Sequence, residues 1–296
     1  MEPQEDTQRF PIDPTSGPTA EMPTFRQVLA SGATDRGRVR AHNEDQFVVA
    51  EMTRAMHIKA TSLPQSPMKF GDMRVRGQLF VVADGMGGHR GGEQASAIAV
   101  VAIEDFLLNT LRWFFRLQGD NVIAEFQLAL RAADDQIFAE AARRPDLRGM
   151  GTTVTLAYCV DHILYVAHAG DSRLYILRGG ILYRITHDHT VAGELERRHL
   201  IEPEQAAKHP LRNVITNSVG GDKPGVTAEV HKILLEVNDV VLLCSDGLTE
   251  VVPDAEIADI LVKGQDPDAD CLALLQRANA LGGPDNVTAI VARFLA

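Results

Sequence analysis

The stretch LFVVADGMGGH, running from Leu79 to His89, carries the reading of this chain. Its first five residues are a short apolar run with β-branched and aromatic side chains, the pattern of a buried strand. The run stops at Asp84-Gly85. An Asp-Gly pair alone marks a turn, because glycine supplies positive φ. The ending recurs, however. VVLLCSDG closes on Asp246-Gly247, ILYVAHAGD closes on Asp171, and GGPDN sets Asp285 just before a final strand-like run. Four carboxylates at the ends of buried-looking strands repel one another if they converge on one rim. A hard divalent cation answers that repulsion, and oxygen ligands suit magnesium or manganese. In TDRGRVRAHNEDQF, Glu44-Asp45 immediately precede another strand, and Arg40 lies just upstream, placed to fork onto phosphate oxygens.

Outward from these motifs the chain divides into strands and helices. Strands are expected at Gln46–Glu51, Leu79–Ala83, Thr153–Val160, Ile163–His168, Leu174–Leu177, Ile181–Ile185, Val226–Leu235, Val240–Cys244 and Val287–Phe294. Gly179-Gly180 reads as a tight hairpin turn. Helical periodicity covers Glu93–Phe115, Ile123–Arg143, Ala255–Val262 and Asp268–Leu281. Adjacent strands with helix pairs between them predict an α+β fold with helices outside antiparallel sheets.

Composition narrows the class. The chain has 296 residues, and 29 Lys+Arg against 40 Asp+Glu give a formal net charge of −11. Dense Lys/Arg surfaces serve phosphate backbones and anionic lipids, so the balance argues against nucleic-acid and membrane partners. The three cysteines, Cys159, Cys244 and Cys271, show no CxxC spacing and suit a reducing cytosol. No apolar run approaches the roughly 18 residues of a membrane helix. A cytoplasmic protein is the expectation. Residues 1–24 concentrate prolines and carboxylates around a single basic residue, Arg9, and read as a flexible acidic tail. The remaining residues, 25–296, read as one catalytic domain. Within it, Met52–Gln78 is a long basic connection carrying Arg54, Lys59, Lys69, Arg74 and Arg76.

Taken in order, Arg40…Asn43-Glu44-Asp45, VADGMGGH (Val82–His89), GMGTT (Gly149–Thr153), GDSR (Gly170–Arg173), CSDGL (Cys244–Leu248) and GGPDNVT (Gly282–Thr288) form a series. It resembles the metal-dependent type 2C protein serine/threonine phosphatases of the bacterial branch, over about Gln27–Phe294. The resemblance implies a four-layer αββα sandwich with a metal cluster at one end, between the sheets. It further implies Mg²⁺ or Mn²⁺ as cofactor, as two ions with a weaker third position. Asp84 would be shared by two ions, Asp246 and Asp285 would complete the first, and Glu44 with the Gly85 carbonyl would serve the second. Asp45 would act through coordinated water, and Asp171 with Asp246 would hold the third. Arg40 would bind the phosphate, and residues 187–220 would form a flap beside the site. Two-metal chemistry then has a bridging hydroxide attack phosphorus in line, with no covalent phosphoenzyme. Consistent with that, the chain has no GxSxG elbow and no nucleotide-binding GxxxxGK[ST] loop.

The implied partners are phosphorylated proteins and a cognate Ser/Thr kinase, and the chain is expected to act as a monomer. Two rival functions share the fold: a non-catalytic phosphoprotein-binding regulator and a small phosphate-ester hydrolase. Met86 stands where many eukaryotic relatives carry a histidine acid, which leaves His89 or a metal-bound water for that role. His187-Asp188-His189 lacks further ligands at zinc-enzyme spacing and reads as a loop or helix-capping segment. Asp188 and Asp222 are the remaining acidic candidates near a third metal. Asn286, Arg173, His42 and His168 read as structural.

Overall fold

The computed structural model describes residues 27–52, 56–61, 77–87, 91–114, 120–160 and 162–296. In chain order the first elements are β1 (Gln27–Asp35), β2 (Asp45–Met52), β3 (Met56–Thr61), β4 (Gly77–Met86), α1 (Gly91–Phe114) and α2 (Asp120–Arg143). Next come β5 (Gly151–Thr152), β6 (Val154–Val160), β7 (Ile163–Ala169), β8 (Arg173–Arg178), β9 (Ile181–Arg184), α3 (Val191–Arg197) and α4 (Pro203–Ala206). The last are β10 (Val219–Gly220), β11 (Glu229–Leu234), β12 (Val240–Cys244), α5 (Asp246–Thr249), α6 (Asp254–Lys263), α7 (Pro267–Ala280) and β13 (Val287–Leu295).

The strands form two antiparallel sheets. One runs β1-β13-β12-β8-β9; the other runs β3-β2-β4-β6-β7-β11, with β5 and β10 extending it beyond the end of β4. The chain's first and last described strands are neighbours, paired from Gln27↔Leu295 to Asp35↔Val287.

Side-chain alternation explains why β4 is apolar without a break from Leu79 to Ala83. Leu79, Val81 and Ala83 face α1 and α2, where they meet Ala95, Ile103, Phe126 and Leu130. Phe80 and Val82 face the opposite sheet and pack with Leu174, Val241, Ile290 and Phe294. A third core lies between the first sheet and α6 and α7, with Leu242, Val291, Ile257, Leu261 and Leu274. Three apolar slabs separate four layers, helices–sheet–sheet–helices, and this is the αββα sandwich.

The structure departs from the sequence expectations in three places. Strand β1 was not anticipated: its small residues Ala30, Ser31, Gly32 and Ala33 carry little hydrophobic signal because β1 is confined between α7 and β2. Strand β3 lies inside the segment read as an irregular basic connection. Among the described residues it pairs only with β2, and such an edge position tolerates lysine. The strand expected from Val226 begins at Glu229, because Pro224 and Gly225, the latter at φ +113°, hold the preceding residues in a loop. The region 187–220, read as a flap, contains α3, α4 and β10. The acidic tail, 1–24, and His89 lie outside the described residues.

Candidate metal centre

The same alternation that builds the middle slab delivers the site. Along β2, Phe47 and Val49 point between the sheets, so Asp45 does too. Along β4, Phe80 and Val82 do so, and Asp84 follows. Ser245 extends the inward series Val241 and Leu243, and Thr288 precedes Ile290 and Ala292 in theirs. At one end of the sandwich, therefore, an apolar interior gives way to a belt of carboxylates and hydroxyls. Asp45 and Asp84 are cross-strand partners in that belt.

Asp45 is buried behind the others. Its Oδ2 accepts from Ser245 Oγ at 2.8 Å and Thr288 Oγ1 at 2.6 Å, while its Oδ1 has no partner. These hydroxyls come from β13 and the residue after β12, so Asp45 ties the two sheets together. Asp84 is anchored through its backbone: its amide donates to Thr153 Oγ1 at 3.0 Å, and its carbonyl accepts from the Thr153 amide at 2.8 Å. Asp246 opens α5, and its Oδ1 is also buried without a partner. Asp171 sits in the turn between β7 and β8, and Asp285 just before β13.

Glu44 is held by its backbone as well. Its amide donates to Asn286 Oδ1 at 2.8 Å, and its carbonyl accepts from Gly85 N at 3.2 Å and Ser96 Oγ at 2.6 Å. Asn286 also donates to the carbonyls of Arg36 and His42, both at 2.9 Å, so it organises the segment that carries Arg40 and Glu44. Gly85 must lack a side chain. A Cβ there would strike the carbonyls of Gly92 in α1 and Glu44.

Glu44, Asp84, Gly85, Asp171, Asp246 and Asp285 line one cleft of about 770 Å³, and Arg40 stands at the same wall. Arg40 donates to Asp285 Oδ2 at 2.5 Å. Burial, then repulsion from its neighbours, pushes the carboxyls of Asp84 and Asp246 well above the ordinary range. Burial likewise raises Asp45 to about 6 and, with repulsion from Asp188, Asp171 to about 7. Unpartnered buried carboxylate oxygens among mutually repelling acids are the donor set that a hard divalent cation satisfies.

The other acidic candidates separate. Asp188 is saturated by two guanidiniums, a fork from Arg173 at 3.0 and 2.8 Å and an ion pair with Arg184 at 2.5 Å. Asp222 lines the cleft, as does Lys223, for which no signal stands out in the sequence GGDKPG. His168, His189 and Glu229 lie close enough together to suggest a second metal site. Their nitrogens are already engaged. His168 contacts Thr155 Oγ1 and the Gly170 carbonyl, while His189 contacts the Gly170 amide, Asn217 and Glu229.

A family model described as Protein phosphatase 2C matches residues 43–213. The serine/threonine phosphatase Stp of Listeria innocua is 33% identical over 258 residues, covering 87% of this chain and 92% of that protein. The crystal structure of serine/threonine phosphatase Stp1 from Staphylococcus aureus superposes with a TM-score of 0.76 at 29% identity, over 94% of this chain and 99% of that one. The catalytic domain of the phosphatase PstP, solved in complex with two manganese ions, superposes with a TM-score of 0.70 at 31% identity, over 91% and 99%. The chain belongs to the protein phosphatase 2C family.

Proposed function

We propose that the acidic cleft is the catalytic centre of a protein serine/threonine phosphatase. The chain is a metal-dependent hydrolase of phosphorylated proteins: its Stp and PstP relatives are named serine/threonine phosphatases, and a PstP catalytic domain is solved with two manganese ions. The observation that carries the assignment of the site is the convergence of Glu44, Asp84, Asp171, Asp246, Asp285 and Arg40 on one cleft, with Asp246 Oδ1 in its lining and Asp45 Oδ1 behind it buried and unpartnered. Manganese is the ion seen with the PstP relative, and magnesium suits the same oxygen ligands.

Asp84, Asp246 and Asp285 would hold one ion, and Asp84, Glu44 and the Gly85 carbonyl a second. Asp171 with Asp246 offers a third position, and Asp45 supports the cluster from behind. When bound, such ions lower the pKa of water to give a nucleophile near neutral pH and neutralise charge on the phosphoryl group. The chain's own part is positioning. Arg40 presents guanidinium N–H groups to the phosphoryl oxygens, Asp285 orients it, and Asn286 fixes the loop that carries it. His89 remains our candidate for protonating the leaving oxygen.

We place residues 25–296 as the catalytic domain, 187–220 as its flap, and the protein as a cytoplasmic monomer opposing a Ser/Thr kinase. Among the described residues no helix is long and apolar enough to cross a membrane. The test is hydrolysis of an aryl phosphate and a phosphothreonine peptide with manganese and then with EDTA. Asp246→Asn should abolish turnover while the far-ultraviolet circular dichroism stays unchanged. Unchanged turnover in that variant would refute the ligand assignment.

A further inference from the structure

Beyond the metal centre, one buried carboxylate is committed to shaping the cleft wall. Asp134 lies on α2, in the outer helical layer, and is 3% exposed. Its Oδ1 accepts from the amide of Gly220 at 2.6 Å and its Oδ2 from the amide of Gly225 at 2.9 Å. Both feet of the arc Gly220-Gly221-Asp222-Lys223-Pro224-Gly225 therefore rest on one side chain. Gly220, Gly221 and Gly225 all have positive φ, at +77°, +91° and +113°, which lets the chain curl tightly enough to present both amides to it. The Gly221 amide adds a bond to the Met150 carbonyl at 2.8 Å.

The crown of this arc, Asp222 and Lys223, is exposed and lines the cleft. Among the described residues Lys223 and Arg40 are the two cations of the lining, and they differ in one respect. The Arg40 guanidinium is paired with Asp285, whereas the Lys223 ammonium has no ion-pair partner among the described residues. An unpaired ammonium on a rigid wall, beside a centre that takes a phosphoryl group, is placed to meet a second negative charge on the same substrate.

We propose that Lys223 is a specificity-determining residue that selects phosphopeptides with a carboxylate beside the phosphorylated residue, and that Asp134 is the positioning residue that holds it there. The proposal deepens the phosphatase reading and rests on it. Asp134 needs to be a carboxylate because it must accept twice. Asn in its place would turn one amide N–H toward another.

The experiment compares two phosphothreonine peptides differing only in flanking Glu or Gln, with an aryl phosphate as the substrate that lacks flanks. The wild type should favour the Glu peptide in kcat/KM by about twofold to fivefold, the range one exposed ion pair provides. The difference should reside in KM and fade with added salt. Lys223→Ala should erase the preference and leave aryl phosphate kinetics unchanged, and Lys223→Arg should restore it. Asp134→Asn should also erase it, with kcat on the aryl phosphate retained, and Asp134→Glu should recover part of it. Equal use of both peptides by the wild type, or a preference that survives Lys223→Ala, overturns the proposal.

Hydrogen exchange in the wild type provides an independent check should Asp134→Asn not fold. The Gly220 and Gly225 amides should be strongly protected, and rapid exchange at both would overturn the role of Asp134. If no substrate is hydrolysed, the phosphatase reading fails by itself. Fluorescence anisotropy of the two labelled peptides then tests Lys223 separately: tighter binding of the Glu peptide supports it, and equal binding refutes it.

Discussion

At the scale of single residues, the chemistry depends on which polar groups are satisfied and which are left open. Arg40 is half-exposed and engages one carboxylate, so its removal should disturb binding more than folding. Arg40→Ala should raise KM for a phosphopeptide about tenfold, the order of one charged hydrogen bond, with a smaller fall in kcat. Steady-state kinetics with manganese checks this. Glu229 is the opposite case, a carboxylate with every interaction filled. It accepts from His187 Nδ1 and His189 Nε2 at 3.1 Å each and from His231 Nε2 at 2.6 Å. Burial pushes its carboxyl upward, but those hydrogen bonds outweigh burial and hold it well below the usual range. A depressed carboxyl contributes stability that is present above its unfolded pKa and lost as pH falls toward the folded value. Glu229→Gln should therefore cost about 1–3 kcal/mol near neutrality. The gap from the wild type, followed by thermal unfolding, should narrow below about pH 4.

At the scale of elements, the site depends on how closely β4 approaches α1. Gly85 is the contact, and Gly85→Ala should push the strand from the helix and displace Glu44 with it. The expected outcome is loss of most metal-dependent activity and a drop in stability of about 1–3 kcal/mol, the usual range for overpacking. Activity assays and urea denaturation check the two parts. This scale also shows what was legible beforehand. Asp84, Asp246 and Asp285 could be picked out because each ends or borders an apolar run; strand alternation carries Asp84 inward, while Asp246 opens α5 and Asp285 precedes β13. Strand β1 was hidden because small residues between packed layers leave no hydrophobic pattern. Asp134 was hidden for another reason. In the run Ala133-Asp134-Asp135 nothing local separates a buried clamp from a solvated helix face, since its partners lie 86 and 91 residues away. The hydroxyls of Ser245 and Thr288 were equally silent, being ordinary polar residues until the two sheets bring them onto Asp45.

At the scale of the whole molecule, the acidic cluster couples the fold to pH and to cations. Asp45 and Asp171 have folded pKa values raised to about 6 and about 7, so the native state holds more protons than the unfolded chain between about pH 4 and 7. Stability of the metal-stripped protein should accordingly fall as pH rises through that window. Divalent ions replace those protons, so manganese should raise the unfolding temperature by about 5–10 °C at saturating concentration. The gain should be larger at pH 8 than at pH 5, and differential scanning fluorimetry with and without EDTA checks it. The pairing of β1 with β13 has a further consequence, for the chain as it is being made. Glu44 meets its support, Asn286, across 242 residues of sequence. At roughly 5–20 residues per second of synthesis, that interval lasts some tens of seconds. Throughout it β1 waits without its partner strand, β12 joins it only near the end, and the acidic cluster lacks Asp285. A newborn chain is thus open to wrong strand partners until β13 emerges, which makes its time on the ribosome the stage at which a chaperone has most to protect.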